Sequence, residues 1–250
     1  MAAPSCTIAA DTGPWDELMT SLAVRRLGHE LLDDPTTNRG EVEESLRNIA
    51  RANRWFGGRA ALCFGLGQVL RGMAPGARVT LLDLGSGMGD LPRAAVRWAA
   101  RRGIRLVPVG LDRNPVAAAL AASRGLPTMV GCAGAPPVGD KSVDLVSLSM
   151  VAHHFEPDSV VQLFRACDRI ARRAVVVTDL RRAAAAVIAF WAGAHVLRFD
   201  PVTRADGKTS IRRGFTVREL AGLLTRAGVT GRVWRRPGWR LVGTWMPDVP

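Results

Sequence analysis

The segment Asp83-Leu84-Gly85-Ser86-Gly87-Met88-Gly89 constrains the fold most strongly, because it places glycine at every second position directly after an apolar, β-rich run. Glycine lets the backbone turn sharply and lets a ligand approach the N–H groups at the start of the next helix. The third glycine comes one residue earlier than in the dinucleotide fingerprint G-x-G-x-x-G. The segment therefore predicts a strand, a glycine turn and a helix start that hold a nucleotide, with a spacing that disfavours dehydrogenases.

From residue 78 onward, short β-rich runs alternate with helical segments, as is typical of a doubly wound α/β sheet. The predicted strands are 79–84, 105–111, 128–130, 143–148 and 174–178, and the predicted helices are 91–102, 115–124, 157–170 and 217–227. Two final strands, 229–235 and 239–245, are joined by Arg236-Pro237-Gly238, and so tight a connection joins only antiparallel neighbours. We predict a Rossmann-like, seven-stranded doubly wound sheet with an antiparallel terminal hairpin.

The whole chain is predicted to have three parts: a disordered leader at 1–13, a helical cap or lid at 14–76, and a binding domain at 77–250 that contains the sheet. The binding domain has an insertion at about 181–215. The cap contains predicted helices at 15–32, from near Glu41, and at 59–73; the apolar face of the second is interrupted by the amide of Asn53. In the insertion, the apolar stretch 183–197 precedes a polar segment with an Asp206-Gly207 turn. This insertion either walls a ligand or is a core helix followed by an exposed loop.

The formal charge of +12 comes from arginines scattered along the chain. This distribution favours a solvated face or a substrate rim, disfavours a dedicated nucleic-acid binder, and is compatible with transient contact at an anionic membrane surface. The four cysteines lack the paired spacing of a disulfide framework or a metal site. With no secretory signal visible and an apolar stretch shorter than the roughly 20 residues of a membrane span, we expect a cytoplasmic protein. The oligomeric state is left open.

Four segments, 82–89, 110–115, 140–146 and 153–155, together resemble the class I S-adenosylmethionine (SAM)-dependent methyltransferases, especially the branch that acts on quinones, phenols and other small molecules. The resemblance covers about residues 79–245. It implies S-adenosyl-L-methionine as cofactor, with Asp83 and the glycine turn along its methionine part and Asp112 at its ribose. Position alone also allows Asp112 to accept ribose hydroxyls at a strand end, or to cap the helix that starts at Pro115.

One position of the expected cofactor site departs from this family. Relatives commonly carry Gly-Asp-Ala where this chain has Gly131-Cys132-Ala133, and a thiol is a poor acceptor for the adenine amino group. Either the backbone takes over adenine recognition, or SAM binds more weakly, or Cys132 is a buried hydrophobe without ligand contact. The full set of expected cofactor-binding residues is Asp83, Gly85, Ser86, Gly87, Gly89, Asp112, Arg113, Cys132, Ala133 and Ser149.

His153 and His154 are the candidate catalytic residues, because they follow the fourth strand at the edge where open α/β sheets bind ligands. A histidine there can deprotonate or polarise a phenol. Alternatively, His154 hydrogen-bonds the backbone beside SAM. No third ligand is close in sequence, so no metal site is expected.

These features predict methyl transfer to a small, largely apolar phenolic, quinone or polyketide-type acceptor, on oxygen or carbon. Expected substrate-binding residues, from the cap and the insertion, are Asn53, Arg54, Trp55, Arg204, Asp206 and Arg213. Two alternatives stay open: an RNA methyltransferase, suggested by the charge, and a non-catalytic scaffold, suggested by Cys132. Against RNA, the segment after the fourth strand reads Ser147-Leu148-Ser149-Met150 and the chain contains no tyrosine.

Overall fold

The computed structural model describes residues 22–28, 30 and 37–247. These residues form one sheet in the order β3-β2-β1-β4-β5-β7-β6. Its first five strands are parallel, whereas β7 is antiparallel to both β5 and β6. The predicted fold class is confirmed. The strands are β1 (Arg78–Leu84), β2 (Arg105–Asp112), β3 (Thr128–Val130), β4 (Val143–Ser149), β5 (Ala171–Leu180), β6 (Gly231–Arg236) and β7 (Arg240–Trp245).

Four of the eight described α-helices begin at a polar side chain that accepts from a free N–H group of the first turn. Asn114 accepts from the backbone N–H groups of Val116 and Ala117, and Thr216 forms a capping box with Glu219. The helices are α1 (Arg39–Trp55), α2 (Gly58–Val69), α3 (Asp90–Ala100), α4 (Pro115–Ser123), α5 (Pro157–Ile170), α6 (Ala184–Val196), α7 (Pro201–Arg213) and α8 (Val217–Ala227), with a 3-10 turn at Ala152–His154. No helix in the described part of the chain is long and apolar enough to cross a membrane.

The sheet is covered on both faces. Helices α5 and α8 pack on one face around Phe164, while α2 and α3 pack on the other around Leu62 and Trp98. A Cβ atom built on Gly65 of α2 would lie 2.4 Å from Val176 Cγ1, so this helix approaches the sheet directly. Within the predicted cap segment, α2 therefore joins the sheet core, whereas α1 contacts α4 and α7.

The predicted first helix, 15–32, is wrong in its second half. Residues 25–28 are not helical, and most of the other residues in that range, like the predicted leader 1–13, lie outside the described residues. The cause is tertiary: Arg25 donates to the backbone oxygens of Arg213, His153 and Phe155 at 2.6 to 2.8 Å. Its guanidinium also lies over the Phe215 ring. These long-range contacts outweigh the local preference for a helix.

The predicted Asp206-Gly207 turn is also wrong, because both residues lie inside α7. A Cβ atom on Gly207 would lie 2.1 Å from Phe190 Cζ on α6. Glycine at this position therefore serves close packing of α6 against α7. The polar half of the insertion is a helix rather than an exposed loop.

Candidate active site

A cleft of about 630 Å³ opens at the carboxyl edge of the parallel strands, where α/β sheets bind ligands. The glycine turn forms its floor, with positive φ values of 70° at Gly85, 53° at Gly87 and 75° at Gly89. A Cβ atom on Gly85 would lie 2.2 Å from Val151 Cγ2, whereas at Gly87 the nearest atom is Leu46 Cδ2 at 3.5 Å. The turn is thus tight on one side and leaves room for a ligand on the other.

Asp83 ends β1 under this turn and is only 2% exposed. Burial raises the pKa of Asp83 to about 7, and the charges of Asp90 and Asp112 act in the same direction, while a 2.5 Å hydrogen bond from Ser147 Oγ opposes them. The carboxyl group therefore changes its charge near neutral pH. A positively charged group bound beside it would favour the ionised form.

Asp112 ends β2 on the opposite wall of the cleft. Its Oδ2 accepts from Gly87 N at 2.7 Å and its Oδ1 from Asn114 N at 2.9 Å. Asn114, not Asp112, caps α4, so the capping alternative for Asp112 is wrong. Each carboxylate oxygen can accept a second hydrogen bond, which leaves capacity for ligand hydroxyls. Burial raises the pKa of Asp112.

Two buried hydroxyls, Ser86 Oγ and Ser149 Oγ, have no hydrogen-bond partner among the described residues. Both side chains border the cleft, and a buried polar atom without a partner is costly unless a ligand or water satisfies it. Cys132 is exposed on the cleft wall, so its interpretation as a buried hydrophobe is wrong. Arg113 and Ala133 also line the cleft. These open donors and acceptors fit a polar nucleotide ligand such as SAM.

A buried histidine–carboxylate pair faces the cleft. His153 is 1% exposed; its Nδ1 lies 2.7 Å from Asp179 Oδ1, and its backbone N–H donates to Asp179 Oδ2 at 3.1 Å. Burial raises the pKa of Asp179, but three influences together outweigh it, and the net pKa lies below the ordinary value. These are the positive charge that His153 and His154 carry when protonated, the hydrogen bond from His153 and the hydrogen bond from the backbone N–H of Leu180. In the neutral form of the His153 ring, Nδ1–H donates a hydrogen bond to ionised Asp179, and Nε2 then carries the lone pair.

His154 has a different environment. Its ring stacks on His153 with the centroids 4.2 Å apart, and Arg213 Nη1 donates to its Nδ1 at 2.9 Å. Because Nδ1 accepts this bond, neutral His154 carries its proton on Nε2, 3.9 Å from Glu30 Oε2. When both rings are neutral, His154 therefore carries its proton on Nε2 and His153 on Nδ1.

Glu30 joins the two histidines from a segment far away in sequence. Its Oε1 accepts from Ser210 Oγ and Arg213 Nη1, both at 2.9 Å, and lies 4.0 Å from His153 Nε2. The ligand atoms of Glu30 and both histidines lie within 4.8 Å of one another. A third potential metal ligand, which is not close in sequence, is therefore close in space. The chemistry of the donor set nevertheless disfavours a cation, since the Arg213 guanidinium already holds Glu30 and His154.

A second, smaller cavity of about 100 Å³, called the apolar pocket below, adjoins the cleft under α6 and α7. The two share five lining residues: Glu30, Ile49, Asn53, Met150 and Ser210. The other walls of the apolar pocket are largely apolar, with Phe56, Leu180, Ala186, Ala189, Phe190, Ile211 and Trp239 among them. Arg240 also lines it, although its guanidinium is buried. Arg240 Nε donates to Phe56 O at 2.8 Å, and burial lowers the Arg240 pKa to about 10.

The structure brings three of the six expected substrate residues to these cavities. Asn53 lines both and donates to Asp90 Oδ2 at 3.4 Å, Asp206 lines the apolar pocket, and Arg213 lines the cleft. The other three, Arg54, Trp55 and Arg204, line neither cavity in the described residues. For Arg54 and Trp55 the reason is helix geometry, because the residues that directly follow Asn53 on α1 point away from its buried face. Trp55 is accordingly 62% exposed.

Three polar residues of the site were missed by the sequence reasoning: Glu30, Asp179 and Arg240. Asp179 directly follows a predicted strand, and Arg240 falls inside a predicted one, so position offered a weak signal for both. Glu30 offered none, because it lies within a segment predicted as an ordinary helix.

Comparison with known proteins defines the class. Residues 82–177 match a family model described as "Methyltransferase domain". The strand order with its antiparallel hairpin is that of the class I SAM-dependent methyltransferases. The chain therefore carries a SAM-dependent methyltransferase domain, and SAM is its cofactor, as the sequence predicted.

Several solved structures share this fold over most of the chain. The plantazolicin methyltransferase BpumL, solved with S-adenosylhomocysteine (SAH), is 13% identical with a TM-score of 0.65, covering 94% of this chain and 99% of its own. Human N-acetylserotonin methyltransferase, solved with SAM, is 15% identical with a TM-score of 0.61, covering 94% and 66%. A methyltransferase of Methanococcus maripaludis is 14% identical with a TM-score of 0.57, covering 82% and 93%. No curated protein sequence matches the chain.

Proposed function

We propose that the protein transfers the methyl group of SAM to a hydroxyl of a small, largely apolar acceptor of the phenolic, quinol or polyketide type. The observation that carries this proposal is the His153–Asp179 pair, whose basic nitrogen faces a cleft that continues into an apolar pocket. A phenolic hydroxyl must lose its proton on methylation, and a carboxylate-oriented histidine is suited to accept it.

The apolar pocket supports a single-ring acceptor. Its volume of about 100 Å³ approaches that of dry cavities, on the order of 150 Å³, that bind benzene. Its walls are largely aliphatic and aromatic, its polar lining residues include Glu30, Asn53 and Asp206, and Arg240 is the cation among them. The buried Arg240 guanidinium already donates to Phe56 O and Met150 Sδ and has the charge of Asp179 nearby. Because a guanidinium has five N–H donors, we propose that Arg240 also donates to an oxygen on the acceptor ring.

SAM, when bound, supplies an electrophilic methyl group on a positively charged sulfur. The chain contributes alignment, water exclusion and a base. Asp179 holds the His153 ring by its Nδ1–H, and Nε2 accepts the hydroxyl proton as the oxygen attacks. The imidazolium that forms is stabilised by ionised Asp179 and by Glu30, 4.0 Å from Nε2. Ser210 and Arg213 keep Glu30 in place by hydrogen bonds to its Oε1.

A His153→Gln substitution tests the base. We expect kcat to fall by roughly 10²- to 10⁴-fold on a phenolic acceptor while the Kd for SAH stays unchanged, because Gln keeps a similar volume but cannot take up the proton. SAM consumption should be measured on a panel of simple phenols, alkylresorcinols and quinols, with an unstructured RNA as comparison. His195→Gln on α6 is the matched control and should retain wild-type turnover, since His195 lies outside both cavities.

Two outcomes contradict the proposal. One is SAH binding with no turnover on any phenol or quinol. The other is wild-type turnover by the His153→Gln variant across pH 6 to 9. This result would contradict the role of His153 as general base but not the proposed class of acceptor. Turnover on the RNA alone would point to a different substrate.

A further inference from the structure

Helix α6 is apolar on both of its long sides. Its inner side, with Ala186, Ala189 and Phe190, lines the apolar pocket. Its outer side is exposed and follows helical spacing with the residues Ala185, Ile188, Trp191, Ala192, His195 and Val196. No Asp, Glu, Lys or Arg occurs between residues 184 and 196. A helix that only lines a pocket normally has charged residues on its solvent-exposed side. An exposed apolar side such as this one indicates an interaction surface.

The outer side combines large apolar groups with an aromatic ring. Trp191 is 52% exposed and Val196 is 82% exposed. Val202, at the start of α7, is also exposed and continues the apolar surface past the end of α6. We call the exposed outer residues of α6 together with Val202 the α6 surface.

Arginines border the α6 surface. Arg198 is exposed just beyond the helix, Arg51 donates to Leu197 O, and Arg204 donates to His195 Nε2 at 2.8 Å. The nearby acid, Asp200, is engaged internally, since it caps α7 and accepts from Asn48. The rim is therefore cationic, in a chain whose net charge is +12.

We propose that the α6 surface docks on an anionic lipid membrane, with Ile188, Trp191 and Val196 at the level of the headgroups. The part of this inference that concerns the acceptor rests on the proposed function. In that part, the substrate is a phenol or quinol with a lipid-like tail that resides in the membrane and enters the apolar pocket beneath α6. Tryptophan, aliphatic side chains and an arginine rim are what an interfacial helix presents to anionic lipid. At 13 residues, α6 is about 20 Å long and lies along the surface.

The positive charge of the arginine rim favours an anionic bilayer over a second copy of this chain as the partner of the α6 surface. Two copies meeting at the α6 surface would bring two arginine rims together, and like charges repel. An anionic bilayer instead attracts the same arginines, and this attraction weakens as salt screens it.

Flotation of the full chain with vesicles tests docking. We expect binding to phosphatidylcholine vesicles containing 30% phosphatidylglycerol, weaker binding at 0.5 M NaCl, and little binding to pure phosphatidylcholine. Val196→Glu should lower the partition coefficient about tenfold, because it places a charge where an exposed apolar side chain would enter the membrane interface. Met246→Glu is the matched control, with the same charge change at an exposed apolar residue outside the α6 surface. It should bind like wild type.

Activity separates this inference from the proposed function. Val196→Glu should keep wild-type turnover on a soluble phenol without vesicles, and lose it on a long-chain alkylresorcinol carried in anionic vesicles. Wild-type turnover on the soluble phenol with no vesicle binding overturns docking and leaves the function intact. A dimer in size-exclusion chromatography that Val196→Glu converts to monomer also overturns docking, because a second copy then covers the surface. Vesicle binding without turnover on any acceptor overturns the function.

Discussion

Replacing Asp83 by asparagine should remove a pH dependence from the stability of the ligand-free protein. Asp83 is buried beneath the glycine turn, and burial raises its pKa from 3.8 to about 7. In the unfolded chain the carboxyl ionises near pH 4, whereas in the fold it keeps its proton until about pH 7. Between these values the folded state binds more protons than the unfolded state, so the free energy of unfolding decreases as pH rises. Asparagine keeps an acceptor for Ser147 Oγ and has no proton to lose.

The size of the effect follows from the shift. A change from 3.8 to about 7 is about 3 pKa units, and each unit corresponds to about 1.4 kcal/mol. The whole penalty is therefore about 4 kcal/mol above pH 8. About 3 kcal/mol of it develops between pH 5 and pH 8, since the unfolded carboxyl is already largely ionised at pH 5.

Urea unfolding at pH 5, 6, 7 and 8 measures this difference. The free energy of unfolding of the wild type should decrease by about 3 kcal/mol more than that of Asp83→Asn over this range. Asp140→Asn, at an exposed carboxylate paired with Arg169, is the control and should follow the wild type. Equal pH dependence in wild type and Asp83→Asn would refute the assignment of a raised pKa to this carboxyl.

Three further predictions follow from the site and its walls. In calorimetry, SAM should bind the wild type more weakly as pH falls below about 7, because we expect its methionine part to lie along Asp83, whose carboxyl is then neutral; a flat profile would contradict this. Cys132→Asp should tighten SAH binding by about fivefold, since a carboxylate replaces a poor acceptor for the adenine amino group; unchanged affinity would show that the backbone performs this task. Gly207→Ala should lower the free energy of unfolding by about 1 to 3 kcal/mol through its clash with Phe190, whereas Gly222→Ala in α8, where a Cβ atom meets nothing within 4 Å, should leave it unchanged or raise it.

Local patterns predicted the central domain well. Strand β3 and helices α5 and α8 have the bounds that were predicted from apolar runs, proline and capping residues. The glycine spacing and Asp112 placed the cofactor edge, because a strand end followed by a turn is defined within a few residues. The terminal hairpin was predictable for the same reason, since a three-residue connection admits only antiparallel pairing.

Contacts across large sequence distances were not predictable in this way. The Arg25 side chain crosses more than a hundred residues to bind the backbone near His153, and this contact displaced a predicted helix. The Asp206-Gly207 pair is typical of a turn, and the reason for the glycine became visible only when Phe190 on another helix was seen to pack against it. The orientation of Arg54 and Trp55 depended on which side of α1 faced the cleft.

The sequence by itself predicted the fold class, the cofactor and the glycine turn at the edge of the cleft, because the residues concerned lie in short segments that order their own backbone. Only the tertiary structure decided the surroundings of the proposed acceptor site. His153 gained Asp179 from the neighbouring strand, Glu30 arrived from the segment before α1, and Arg240 was buried under α6. The physical reason is that a side chain's protonation and exposure depend on neighbours brought together by packing, which no local pattern of residues records.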